Sequence, residues 1–203
     1  YQIKEGSGRK KALNKKQLKA IANYSDGNEF TEFYRDLWLF IYFCNGINVA
    51  DLINLKFSDI QNGEISFIRQ KTKDRTRDSK RIYAPITPEM QFIIDKWGNN
   101  PRKSTYIFPF MKTGDDAWEH EKKKKNLTKH INDRMKVIGE KLNIGKITTY
   151  VARHTYATVL RNEGVPVAII SPMLGHTSIT TTEIYLADLE SENRARNAHL
   201  LSF

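Results

Sequence analysis

Apolar residues recur at helical spacing most clearly in one stretch. Phe30, Phe33, Leu37, Phe40, Ile41 and Cys44 return every three or four positions, as they do on a helix with one buried face. A helix is therefore predicted over 30–45, ended by Gly46. Before it, Asn14 and Gln17 have the spacing of a reciprocal N-cap, which predicts a short helix to about Tyr24. Ser25-Asp26-Gly27-Asn28 reads as a turn. After it, Asn48 with Asp51 repeats the capping spacing and predicts another short helix. Over 64–86 the pattern changes to β, with strands predicted over 65–69 and 81–86 and a charged hairpin loop over 70–80. Thr87-Pro88-Glu89 opens a helix to about Trp97, with Pro88 at its first position. Asn99-Asn100-Pro101 breaks the chain, and 106–109 is a short extended piece. A long helix follows from Trp118 to about Leu142. Further on, Val151, Ala152, Ala157, Val159 and Leu160 suit a packed helix that carries Arg153 and His154, with Gly164 as the left-handed residue beyond its end. Pro166 suits the first turn of a helix over 167–174, closed by Gly175. A last helix is expected over 188–201. The fold class implied is mainly α with a small antiparallel β-sheet, an α+β domain.

Composition narrows the partners. The chain has 203 residues, 39% of them hydrophobic, which suffices for one core or two small lobes. Lys+Arg number 33 against 23 Asp+Glu, a formal charge of +10. Such an excess favours a polyanion, with nucleic acid the first candidate; charge alone does not separate DNA, RNA and an anionic membrane. No run of apolar residues is long enough to span a bilayer. The opening segment has no apolar core and is not a secretion signal. The one cysteine, Cys44, excludes an intrachain disulfide, sits in an apolar run as a packing residue and fits a reducing cytoplasm. His120, His130, His154, His176 and His199 are scattered, and no Gly-rich phosphate loop exists, so neither a metal nor a nucleotide cofactor is expected.

Three residue types in the last third suit a phosphodiester. An arginine matches two non-bridging oxygens with a planar fork of donors. A histidine adds a donor or moves a proton, and a tyrosine oxygen can be phosphorylated covalently. Arg153, His176 and Tyr185 emerge near the ends of short helices, where side chains can converge. A tyrosine nine residues after a histidine is by itself ordinarily a core or cap residue. The ordered set is more specific: Arg153-His154-Thr155, then Leu174-Gly175-His176-Thr177-Ser178, then Thr182-Glu183-Ile184-Tyr185. In order and spacing it closely resembles the tyrosine recombinase (phage integrase) family. The wording Thr149-Tyr150-Val151-Ala152-Arg153-His154 resembles the branch found in integrases of Bacteroidetes phages and mobile elements.

The resemblance covers about 13–186 and implies the DNA breaking-rejoining catalytic fold. It also implies a site-specific recombinase that integrates or excises a mobile element. Tyr185 would attack a DNA phosphate and leave a 3′-phosphotyrosyl bond, with no metal or cofactor. Arg153 and His176 would stabilise the added negative charge, and Lys71 of the hairpin would protonate the leaving oxygen, with Lys73 as the fallback. Two positions depart from the pattern. Asn48 stands where the family ordinarily has an arginine that grips the phosphate, and Tyr150 stands where it ordinarily has a histidine. Tyr150 is three residues before Arg153 on one helix face and can still donate a hydrogen bond. Losing an arginine should cost roughly 3–5 kcal/mol unless another cation substitutes. Arg35, on the neighbouring helix, is the candidate substitute, with Lys56 and Lys73 behind it. His154 either orients Arg153 or Tyr185 from behind the site or is a satisfied buried polar residue.

Lys73 and Arg75 of the loop and the run Lys122, Lys123, Lys124 and Lys125 are candidate DNA contacts or merely solvated charges. Residues 1–13 are expected to be a basic tether from N-terminal DNA-binding domains, 14–187 the catalytic domain, and 188–203 a helix or tail that docks on a neighbouring protomer. Expected partners are double-stranded DNA and other recombinase protomers, a tetramer on DNA in the family, in a bacterial cytoplasm at the nucleoid. The alternatives are a degenerate DNA-binding regulator of the same fold, a type IB topoisomerase-like strand-relaxing enzyme, and a generic basic helical module.

Overall fold

A computed structural model describes residues 12–71 and 80–186. Its elements begin with helices α1 (Lys15–Ala22), α2 (Glu29–Phe43) and α3 (Val49–Leu52), followed by strands β1 (Ile60–Gln61), β2 (Glu64–Phe67) and β3 (Ile82–Pro85). Helices α4 (Pro88–Trp97), α5 (Ala117–Lys141), α6 (Thr149–Asn162), α7 (Val167–Met173) and α8 (Ile179–Leu186) complete the described chain. The architecture is mainly helical with one small antiparallel sheet.

The apolar run predicted to be a helix is the core element. Leu37, Trp38, Phe40 and Ile41 of α2 have no exposed surface, and α2 packs against α1, α4, α5 and α6. Burying each such side chain contributes about 1.5–3 kcal/mol. Polar bonds then fix how these helices meet. The Trp38 indole donates to the Thr148 carbonyl at 2.8 Å, and Asn132 of α5 accepts the Thr149 N–H at 2.8 Å. The amino end of α6 is thus held from both sides.

Local capping chemistry sets the helix starts. Asn14 and Gln17 bond reciprocally at α1, Thr87 accepts the Met90 N–H at α4, and Asp116 and Glu119 form a reciprocal cap at α5. Such caps are worth about 1 kcal/mol each. Asn48 departs from the expectation. It stands at the N-cap of α3 without a side-chain cap bond. Its amide donates instead to Asp51 Oδ2 at 3.4 Å, while Asp51 Oδ1 takes the Gln70 N–H at 2.7 Å. The carboxylate expected to cap its own helix is drawn to the foot of the hairpin.

The sheet order is β1-β2-β3, with Ile60 opposite Ile65 and Phe67 opposite Ile82. Ile65, Phe67, Ile82 and Ala84 face inward. Both predicted strands are present but shorter, at 64–67 and 82–85; beyond β2, Gln70 gives its N–H to Asp51 rather than to a strand. Strand β1 is an element the pattern reading missed. Its signal was Asn62-Gly63, whose φ of 51° and 78° suit the two-residue hairpin turn that favours this pair. Helix α8 (Ile179–Leu186) is a further element that the sequence pattern does not predict.

A second, smaller cluster holds the carboxyl-terminal helices. Ala157 of α6, Ile170, Leu174 and Leu186 bury together, with Tyr156 and Leu160 against them. Pro166 precedes α7 at its N-cap rather than in its first turn. The proposed tether up to residue 11, Lys73 and Arg75 in the hairpin loop, and the predicted tail helix over 188–201 lie outside the described residues.

Candidate active site

Arg153 projects from α6 and is 7% exposed. Three groups from other elements hold its guanidinium. Nη1 donates to the Gly46 carbonyl at 2.8 Å, and Nη2 donates to the Leu174 carbonyl at the end of α7. Nη2 also lies 3.2 Å from Nε2 of His176. Gly46 takes φ 62° in the turn that ends α2, a region that costs L-residues about 1–2 kcal/mol. A Cβ there would stand 2.8 Å from Arg153 Cα. The neighbouring Asn45 accepts from the Tyr156 hydroxyl at 2.8 Å and donates to the Tyr83 carbonyl at 2.9 Å, which locks the turn.

A second arginine is built in the same way. Arg69, just past β2, donates through Nη1 to the Gly175 carbonyl at 2.9 Å. Gly175 has φ 64°, and a Cβ on it would come within 2.4 Å of Arg69 Cδ. Arg153 and Arg69 flank His176. Burial first, then the charges of Arg153 and Arg69, hold its imidazole down to about 4, so the ring is neutral at physiological pH. Asp51, 5% exposed, is raised above the usual carboxylate range by burial, against downward pulls from the Gln70 N–H, Arg69, Asn48 and Arg153.

An open cleft of ≈ 640 Å³ has Asp51 and Arg69 in its wall. Asn48, Lys71, Lys124, Thr128 and Thr149 also line it. Lys71 is exposed at the hairpin foot. Tyr185 belongs to the last turn of α8; its side chain is outside the described set.

Other predicted residues fall elsewhere. Arg35 is not at this site. It is 8% exposed and bonds Asp36 through Nε and Nη2 at 2.8 and 2.6 Å, with Nη1 on the Tyr24 carbonyl. It sits roughly two helical turns before the end of α2, and its bond to the Tyr24 carbonyl turns it toward the segment after α1. Lys56 lies 5.1 Å from the Tyr106 ring centre. His154 is 1% exposed, with its ring parallel to that of Tyr150 at 6.2 Å between centroids. Tyr150 itself is 46% exposed. Within the lysine run, Lys123 pairs with Asp115, Lys124 and Lys125 with Glu121, and Lys122 lies over the Trp118 ring at 4.7 Å. Only Lys124 of the four lines the cleft.

Arg69 was missed in the sequence. It is one cation in a run that also holds Lys71, Lys73 and Arg75, and no periodic signal separates them. The left-handed glycines after α2 and α7 were visible only as helix stops.

Residues 2–192 match the family model described as "Phage integrase family". The chain belongs to the phage integrase family. A similar relative is the tyrosine recombinase XerA of Pyrococcus horikoshii, 29% identical over 177 residues, which covers 86% of this chain and 56% of the relative. The chain spans about half the length of the curated relatives it matches. Among solved structures, the XerH recombinase bound to palindromic difH substrate superposes with a TM-score of 0.66 at 16% identity, covering 98% of this chain and 55% of that one. The catalytic domain of bacteriophage HP1 integrase gives 0.54 at 18% identity, covering 90% of this chain and 93% of that domain. The phage integrase fold is therefore shared over nearly the whole chain. Among the described residues, no helix is long and apolar enough to cross a membrane.

Proposed function

We propose that this chain is the catalytic domain of a tyrosine-type site-specific DNA recombinase, acting with further DNA-binding domains and other protomers on double-stranded DNA of a mobile element in a bacterial cell. The observation that carries the reading is the cluster of Arg153, His176 and Arg69, beside a cleft that Lys71 and Asn48 line. In this reading the Tyr185 phenol oxygen attacks the phosphorus and gives up its proton to solvent water. The bond between phosphorus and the 5′ oxygen breaks, and the Lys71 ammonium protonates that oxygen. Arg153 stabilises the transition-state charge, and His176 backs its guanidinium. Arg69 supplies the second positive charge that Asn48 cannot, which takes the place proposed from sequence for Arg35. The regulatory alternative rests on Asn48, and Arg69 answers it by restoring the charge at the same cleft.

The test is a nicked suicide DNA substrate with the full-length protein, read on denaturing gels. The parent should form a covalent adduct that Tyr185→Phe abolishes. Arg69→Ala should slow adduct formation about 10²–10³-fold, as for loss of one preorganised donor. An unchanged rate in Arg69→Ala would remove Arg69 from the site. No adduct on a verified target with binding intact would turn the reading to the regulator.

A further inference from the structure

The two ring nitrogens of His176 have different neighbours. Nε2 lies 3.2 Å from Arg153 Nη2, and Nδ1 lies 2.8 Å from Thr182 Oγ1. A guanidinium has donors and no acceptor. Arg153 Nη2 carries two hydrogens, one directed to the Leu174 carbonyl and one to the ring, so Nε2 must present its lone pair. Burial and the two flanking arginines keep the ring neutral, and a neutral imidazole has a single N–H. That proton is therefore on Nδ1 and is donated to the Thr182 hydroxyl. The other ring nitrogen's bond sets which form is present.

The surroundings of Thr182 point the same way. Of the described side chains of α8, Thr182 and Leu186 are the buried ones, at 0% and 4% exposure. Leu186 joins the small apolar cluster, and Thr182 supplies the polar bond to His176. Thr182 also precedes Tyr185 by three positions, which puts the two on neighbouring parts of one helix face.

We propose that Thr182 is a positioning residue: its hydroxyl holds the proton of His176 on Nδ1, keeps Nε2 as the acceptor that orients Arg153, and ties that pair to the helix carrying Tyr185. The inference rests on the recombinase reading for its effect on cleavage, but the protonation pattern stands apart from it. The hydroxyl links three separate elements: α6 through Arg153, the segment after α7 through His176, and α8 itself. A neutral ring with its proton on Nε2 would turn a donor toward a donor and release Arg153 from this contact. The geometry at the phosphate would then loosen, and small misplacements are costly for an in-line attack.

The test uses the full-length protein labelled with 15N-histidine, near neutral pH, together with the nicked suicide substrate. Long-range proton–nitrogen spectra should show His176 neutral and protonated on Nδ1 in the parent. Thr182→Val keeps the shape and removes the hydroxyl; it should move the ring toward the Nε2-protonated form and slow adduct formation about 10- to 100-fold, with DNA binding and melting temperature near the parent. Thr182→Ser should restore the Nδ1 signature and most of the rate. A parent ring protonated on Nε2, or a Thr182→Val variant with the parental spectrum, overturns the proposal. So does a parental cleavage rate in that variant. A parent that makes no adduct overturns the recombinase reading, and the spectra then decide the role of Thr182 alone.

Discussion

Arg35 and Arg153 are buried almost equally, at 8% and 7% exposure, yet their surroundings differ in kind. Arg35 meets a carboxylate: Asp36 accepts two of its N–H groups, and the other oxygen of Asp36 takes the Trp97 indole N–H at 2.8 Å and lies 3.5 Å from Lys96. The charges cancel, and the group acts as a joint between α2 and α4. Arg153 meets the Gly46 and Leu174 carbonyls and a neutral histidine. Those neutral acceptors orient the guanidinium. A buried ion pair whose lone pairs are satisfied is a structural element, whereas a guanidinium oriented by backbone carbonyls has, in the proposed reading, the preorganisation that an arriving phosphate needs. The same residue type therefore serves opposite ends, according to the acceptors that the fold brings to it.

Removing the carboxylate is the hardest test of that difference. Asp36→Ala leaves Arg35 buried without its anion and should lower stability by about 3–5 kcal/mol in urea unfolding. The molecules that remain folded should cleave at the parental rate. Arg153→Ala should do the reverse: adduct formation falls about 10²–10³-fold, with a smaller loss of stability. If both variants lost stability and activity in the same proportion, the two arginines would not be distinct in role.

Gly46→Ala sharpens the contrast, because it leaves both guanidiniums in place and crowds only the stem of Arg153. The left-handed conformation and the 2.8 Å approach to Arg153 Cα should cost about 1–3 kcal/mol in thermal unfolding, with a loss of cleavage that Asp36→Ala does not show. The smallest effect is the pH response. His176 has its proton affinity lowered in the folded chain from 6.5 to about 4, so the unfolded chain binds more protons between those values. His176 therefore leaves stability intact above about 6.5 and lowers it as pH falls toward 4. For a half-buried, partly screened ring this amounts to about 1–2 kcal/mol. Asp51, raised by burial, has the opposite sign, favouring the fold at low pH. His176→Gln should flatten the His176 part of the slope in unfolding measured across this window; an unchanged slope would mean that the ring is not held neutral by its surroundings.

Much of the fold was legible. The spacing of Leu37, Phe40, Ile41 and Cys44 marked the central helix. Asn14 with Gln17 and Thr87-Pro88 marked the starts of α1 and α4, because capping bonds span only three residues. The Asn62-Gly63 hairpin was equally local and was overlooked, since β1 is two residues long and shows no alternation. The site was legible in part. The order of Arg153, His176 and Tyr185 was plain, while the partner of that cluster was sought on α2. Arg35 lies on a helix that does pack against α6, and nothing in its spacing told which end of α2 its side chain served.

The chain by itself determined most of its described helices, several of their caps, its positive charge and the ordered residues that resemble the phage integrase family. Each of these is a pattern of near neighbours or of composition. Tertiary structure alone decided which arginines gather around His176. Arg153 is held by a carbonyl 107 residues away, and Arg69 by one 106 residues away. Both carbonyls face the arginines from left-handed glycines that end helices. Such acceptors exist only after helices α2, α6 and α7 and the sheet have packed, so no spacing along the chain could have separated Arg69 from its charged neighbours or set Arg35 aside.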